Sequence, residues 1–278
     1  MTALRRPAPW QGAEAIGQAA RDCLRLEIAT YPKPGLVSPV DSGAHDDMDA
    51  AIMNRSADAL MPFFARLAAA GAAGAAMAGL RTIGIEAETA MMAATGGVNT
   101  HRGAIFGMGL LCAAAGFRAR YGAPGTLGSI VMHRWGPDIA QGPVALRSHG
   151  TAVARRYAAG GARAEAAAGF PSLYHIALPA LAEGRRLAPA DAEAARVHAL
   201  MALIAGVEDT NLLYRGGAAG LVFARQQAHA FLAEGSVGTA GWRARGIAIH
   251  EDFVARRLSA GGCADLLAMA LFAGLDAP

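Results

Sequence analysis

The segment YPKPGLVSPVDSGAHDDMD, residues 31–49, sets the chain's single lysine, Lys33, between two prolines, upstream of His45 and of Asp41, Asp46, Asp47 and Asp49. Carboxylates this dense repel one another unless a cation or a proton is shared among them. Mg²⁺, which takes oxygen ligands and readily shares them with phosphates, suits such a cluster. Aspartates also cap helices and favour their first turn, so spacing leaves a metal site and a solvated helix start equally open. The prolines restrict Tyr31 and Lys33 to extended backbone, and Gly35 permits a change of direction. Lys33 therefore reads either as part of a surface linker or as an ammonium carried on a stiffened arm toward an anion.

Three further places share a pattern in which a Gly-Gly pair precedes an apolar helix with polar residues beside the junction. They are TGGVNTHRGAIF (95–106), DTNLLYRGGAAGL (209–221) and LSAGGCADLLAMA (258–270). Unpaired N–H groups and partial positive charge at a helix start attract anions, and glycine lets a phosphate approach the backbone. Gly96 and Gly97, Gly216 and Gly217, and Gly261 and Gly262 are thus candidate anion cradles. Beside them stand His101, Arg102, Arg215 and Asp265. A plain turn before a helix is the competing reading for each pair. No Walker A loop occurs, so any phosphate site is of another type. Glu88 shares a helix face with Met91, Met92 and Thr95, which runs toward the 95–106 loop. Asp209 is either a metal ligand or a turn-forming residue.

The elements that must position these residues read as helices throughout. Periodicity and composition place them at about 11–29, 48–70, 76–94, 101–117, 147–159, 172–184, 190–207, 218–234, 242–258 and 263–274, with no convincing alternating strand. The expected fold is all-α, a single compact multi-helix domain of about ten helices with Gly-rich loops forming the site. Residues 118–146, with Pro124, Pro137 and Pro143, read as the least regular part.

Composition narrows the function classes. Charged residues are 17% and aromatics 6% of 278 residues, which predicts helices packed through Ala and Gly. The longest apolar runs, 67–80 and 104–117, are shorter than a membrane span and read as buried core helices. No secretory signal is apparent, and Cys23, Cys112 and Cys263 lack CxxC spacing, as expected of reduced thiols in a cytoplasmic protein. A net charge of +3 with scattered arginines argues against a nucleic-acid platform and agrees with anionic small molecules. The low charge and large apolar fraction also suit a homodimer interface.

With these residues assembled, the chain resembles the ATP:dephospho-CoA triphosphoribosyltransferases, or triphosphoribosyl-dephospho-CoA synthases. The motifs that carry the resemblance are PKPGLV with GAHDDM (32–48), GIEAE with TGGVNTHRGAIF (84–106), GFPSLY (169–174), DTNLLYRGG (209–217) and LSAGGCADLLA (258–268). Ser38 and Arg102 look closer to the malonate decarboxylase branch than to the citrate lyase branch. Ala260 and Cys263 depart from the family's usual proline and serine.

The resemblance implies transfer of the triphosphoribosyl group of ATP to the 2′-hydroxyl of 3′-dephospho-CoA with loss of adenine. The product would be the prosthetic-group precursor passed to a transferase and an acyl carrier protein. It further implies that Asp47 and Asp209, with Asp46, hold Mg²⁺ on the triphosphate. Lys33, Arg102 and Arg215 would pair with phosphate oxygens, and Asn99, Thr100, Asn211 and the Gly-Gly junctions would complete the nucleotide site. Glu88 or Asp265 would stabilise positive charge or act as base, and His45 or His101 would move a proton. Two other enzyme readings remain beside it: an HD-type phosphohydrolase suggested by His45-Asp46, and a Mg-dependent ADP-ribosyl or nucleotide hydrolase. A non-catalytic helical adaptor is the third class.

Overall fold

Small side chains let helix axes approach closely, and the computed structural model, which describes residues 10–143 and 160–276, is assembled in that way. Eleven α-helices occur among the described residues, and no strand. They are α1 (Ala13–Ile28), α2 (Ala50–Ala72), α3 (Met77–Ala94), α4 (Arg102–Tyr121), α5 (Leu127–Gln141), α6 (Gly161–Ala167), α7 (Leu178–Leu187), α8 (Ala192–Gly206), α9 (Thr210–Ala233), α10 (Trp242–Ala255) and α11 (Gly261–Gly274). The all-α expectation holds. The helix expected at 147–159 lies outside the described residues.

Helix α4 is the central element and packs against α1, α2, α3, α5 and α11. Its apolar run is fully buried at Ala104, Met108, Leu111, Cys112, Ala113 and Ala114, as the sequence reading required of a core helix. Contact with α2 is closest where glycines face backbone. A Cβ at Gly71 would lie 1.9 Å from the Ala113 carbonyl oxygen, and one at Gly116 would lie 1.9 Å from that of Ala68. No described helix is long and apolar enough to cross a membrane. All three cysteines are free and buried.

Helix starts follow side-chain chemistry. Asp49 accepts a hydrogen bond from Ile52 N at 2.7 Å to cap α2, and Asp191 accepts one from Ala194 N at 2.9 Å to cap α8, each satisfying an otherwise orphaned donor. The expected irregular segment 118–146 is corrected, because α5 occupies Leu127–Gln141 with Pro137 inside it. Thr126 caps α5, accepting from Ser129 N at 3.0 Å, and Trp135 is fully buried with its indole N–H donating to Ala75 O at 3.0 Å. Proline density outweighed that cap and anchor in the sequence reading.

The α2–α4 contact generates a test. Gly71→Ala forces a methyl group into a backbone carbonyl and is expected to destabilise the fold by about 1–3 kcal/mol, the usual cost of overpacking. Denaturant unfolding measures it, and an unchanged midpoint would refute the close approach.

Candidate active site

A cavity of about 1550 Å³ opens where the 33–48 loop, the residues leading into α4, α6 and its following turn, and the starts of α9 and α11 converge. Its wall includes Lys33, His45, Asp47, Asn99, Thr100, His101, Arg102, Asp209, Asn211, Arg215, Gly261, Gly262 and Asp265. Segments far apart in sequence are thus brought to one chamber. Asp46, Glu88, Gly96, Gly97, Gly216 and Gly217 are not part of its wall.

The three Gly-Gly junctions differ. Gly261 and Gly262 form the first turn of α11, as expected of an anion-ready helix start. A Cβ there would crowd Asn211 Nδ2 (2.9 Å) or Asp209 Oδ2 (3.1 Å), so the absence of side chains lets the α9 and α11 starts meet. Gly96 and Gly97 are a correction. At φ 67° and 91° they terminate α3, with Gly97 N donating to Met92 O at 2.8 Å, and α4 begins only at Arg102. Gly216 and Gly217 precede the second segment of α9, as expected of a pair leading into a helix, and Gly217 at φ 62° breaks the helical backbone between the two segments. Pattern alone did not distinguish a helix end from a helix start.

Lys33 is buried, not carried on an exposed arm. Its ammonium donates to Glu27 Oε1 at 2.6 Å and to Glu27 O at 2.8 Å, with side-chain exposures of 1% and 5% for the two residues. Burial lowers the lysine pKa, and the Glu27 carboxylate opposes that shift. His250 holds the same loop, with Nδ1 2.6 Å from Lys33 O and Nε2 3.1 Å from Asp41 Oδ1. Asp41 also accepts from Gly43 N at 2.8 Å, closing a turn. Two of the four clustered aspartates, Asp41 and Asp49, therefore serve local structure.

Asp209 ties two helices together. Its Oδ1 accepts from Asn211 N (2.7 Å) and Leu212 N (3.2 Å) at the start of α9, and Oδ2 accepts from Cys263 N (2.8 Å) in the first turn of α11. Burial raises its pKa, while these donors pull it down. No group of three or more His, Cys, Asp or Glu side chains suited to a metal ion occurs among the described residues. Asp47 is 63% exposed, Asp46 is outside the wall and both oxygens of Asp209 are engaged. The expected magnesium trio is not a preformed cage.

Asp265 follows one turn of α11 later and faces the cavity without a hydrogen bond or ion pair to any described residue. Gly103, in the first turn of α4, makes room for it: a Cβ there would lie 2.1 Å from Asp265 Oδ2. Burial, then the charges of Glu27 and Asp209, push its pKa well above the usual carboxylate range. Glu88 is placed differently, paired with Arg102 outside the cavity, both partners substantially exposed. That ion pair places Glu88 beside a wall residue and partly neutralises Arg102.

The two histidines have distinct settings. Arg215 Nη2 lies 3.1 Å from His45 Nδ1, and since guanidinium only donates, His45 accepts there and carries its proton on Nε2, 3.0 Å from Ser259 Oγ. Burial and the Arg215 charge lower its pKa, so it is neutral at neutral pH. His101 Nδ1 lies 2.8 Å from Ser56 Oγ, and its pKa is lowered by burial and by Lys33 to about 4.

Several contributors escaped the sequence reading. Glu27 sits at the core-facing spacing of Ala20, Cys23 and Leu24 on α1, and a charged residue on that face was a detectable signal. Ser56 and Ser259 gave none beyond their polarity. In GFPSLY, Phe170 adopts φ 61° and backs the cavity, while Ser172 N and Oγ bond Glu165 at 2.7 and 3.1 Å. Such strain, of order 1–3 kcal/mol, persists where surrounding packing fixes it.

Comparison with known proteins agrees with this chamber of assembled motifs. The family model of ATP:dephospho-CoA triphosphoribosyl transferases (CitG) matches residues 13–277. A probable 2-(5''-triphosphoribosyl)-3'-dephosphocoenzyme-A synthase of Stutzerimonas stutzeri is 40% identical over 274 residues, covering 97% of this chain and 93% of its own length. The synthases of Pectobacterium atrosepticum (38%, covering 91% and 86%) and Klebsiella pneumoniae (37%, covering 97% and 93%) are similar in extent. No solved structure matches the chain. A match of this length, running through every segment of the cavity wall, means that the chain belongs to the ATP:dephospho-CoA triphosphoribosyl transferase family.

Proposed function

We propose that the protein transfers the triphosphoribosyl group of ATP to the 2′-hydroxyl of 3′-dephospho-CoA and releases adenine. The observation that carries this reading is the polarity of the cavity. Its wall holds the buried Glu27 and Asp209 and the part-buried Asp265 against one buried cation, Lys33, whereas Arg102 and Arg215 are exposed toward solvent. A polyphosphate is repelled by the inner acids and attracted to the outer arginines. The base and ribose then occupy the inner end, where negative potential favours the positive charge that develops at C1′ as the glycosidic bond breaks. The volume exceeds the 300–1,000 Å³ usual for one small ligand and accommodates two nucleotides.

In the reaction, the C1′–N9 bond breaks with its electron pair moving to adenine, and a bond forms from the acceptor 2′-oxygen to C1′. The hydroxyl proton passes to the Asp265 carboxylate, and the departing base takes a proton from water. Asp265 then returns its proton to solvent. A carboxylate whose pKa is raised is a stronger base toward an alcohol than an ordinary aspartate. Inversion at C1′ needs no covalent intermediate. Magnesium in this reading would be held by Asp47, an exposed carboxylate of the cavity wall, and would offset negative charge on the incoming triphosphate.

We assign the product to malonate decarboxylase maturation on the family pattern at Ser38 and Arg102, with a separate transferase and the acyl carrier protein as downstream partners. Ser38 is buried and its hydroxyl accepts from Val40 N at 3.1 Å, so it acts by shaping the loop.

Two outcomes test the reading. Incubation with ATP, dephospho-CoA and Mg²⁺ is expected to release free adenine in proportion to dephospho-CoA. Adenine released equally without the acceptor would identify a hydrolase, and phosphate release without adenine would remove glycosyl transfer altogether.

Asp265→Asn is expected to lower turnover at least about 100-fold, the scale of losing a positioned charge. It also changes stability in a defined direction. Because the folded-state pKa of Asp265 is raised, its contribution to stability is intact below about pH 4 and is lost as pH rises toward the folded value. The variant should therefore melt higher than wild type at neutral pH, with the difference shrinking toward pH 4. A lower melting temperature at both pH values would contradict the unpaired, buried carboxyl.

A further inference from the structure

His101 carries an unresolved obligation. Its side chain is 2% exposed and forms part of the cavity wall, yet Nε2 is buried without a hydrogen-bond partner among the described residues. A buried polar atom left unpaired costs on the order of 1–3 kcal/mol, and such atoms are rare in folded proteins. The other ring nitrogen is well provided for. Thr100 Oγ1 lies 2.7 Å from Ser56 Oγ, which lies 2.8 Å from His101 Nδ1. Each hydroxyl has one proton. When Thr100 donates to Ser56, Ser56, fully buried and away from water, donates in turn to Nδ1. Nδ1 is then the bare acceptor and Nε2 carries the hydrogen.

We infer that His101 is a fixed, neutral hydrogen-bond donor to a ring nitrogen of the purine base, with Ser56 and Thr100 as the positioning residues that set its tautomer. This rests on the transferase reading above. Burial holds His101 neutral down to about pH 4, so it is poorly suited to move a proton near neutrality, the role first expected of it. The cavity wall that His101 shares also includes the apolar Leu24, Met53 and Phe106, against which a flat base can pack, and the nearby Lys33 ammonium is already paired with Glu27. As the C1′–N9 bond breaks, electron density flows into the purine and its ring nitrogens become better acceptors. A donor fixed in advance therefore binds the transition state more tightly than ATP, and no proton leaves His101.

The test uses the whole chain with ¹⁵N-labelled histidine. NMR is expected to show the Nε2–H tautomer for His101 in the free protein, with that resonance shifting on addition of adenine or ATP and not of inorganic triphosphate. An Nδ1–H tautomer, or a shift with triphosphate and none with adenine, overturns the inference. Ser56→Ala should mix the tautomers while leaving the chain folded. In turnover, His101→Gln, which places an amide N–H near the Nε2 position, should stay within about 10-fold of wild type, whereas His101→Asn, which reaches only the Nδ1 side, should lose about 100-fold. Equal rates for the two variants would also overturn it. Failure of the wild type to release adenine sinks the transferase reading instead, and the response to adenine still decides the donor.

Discussion

The site depends on one carboxylate. Asp209 accepts three backbone N–H groups drawn from two helix starts that are over fifty residues apart in sequence. A helix start concentrates unpaired donors and partial positive charge, so two such starts repel unless an anion sits between them. Glycine at 261 and 262 lets the helices close on that anion. Asp265, one turn further along α11, is delivered to the cavity wall as a consequence. The residue that read as a metal ligand or a turn former acts here as an internal anion in the protein's own helix-terminus site.

Concentrating acids inside a chamber that admits a polyanion is otherwise a poor arrangement, and its logic lies in separation. In the proposed transfer, arginine at the outer wall and carboxylates at the inner wall give the ligand a direction before any specific contact forms. The Glu88–Arg102 pair tempers one of those arginines, and the hydrogen bonds of Arg215 to His45, Ala44 O and Arg257 O fix the other in place. The raised pKa of Asp265 belongs to the same arrangement, since burial first and then the charges of Glu27 and Asp209 make its ionisation costly.

Helical periodicity, the buried apolar run of α4 and the α8 helix, expected at about 190–207 and found at Ala192–Gly206, were legible because they depend on nearest neighbours and composition. About half the residues of the quoted motifs, drawn from all of them but GIEAE, do meet at one cavity. Their individual chemistry was less legible, because it depends on partners distant in sequence. Gly96 shows the limit clearly: its glycine pair ends a helix, whereas the pairs at 216–217 and 261–262 each lead into a helical segment, and only tertiary packing decides which. The Asp41, Asp46, Asp47 and Asp49 cluster divided between turn, cap and exposed loop for the same reason. Helix α5 was missed because Pro137 was weighed as a breaker, whereas the burial of Trp135 sustains the helix through it.

Lys33 joins these strands of argument. A buried ion pair is seldom a gain in stability over apolar packing, because both charges lose their hydration, but removing one partner alone is severe. The Lys33–Glu27 pair is therefore better understood as a device for placement. It fastens the loop bearing His45 and Asp47 to the end of α1, with His250 gripping the same loop at the Lys33 carbonyl. An ammonium suits this position because it offers three donors on a slender stem, and the two atoms of Glu27 account for two of them. The remaining donor belongs to a group in the cavity wall whose charge is already balanced.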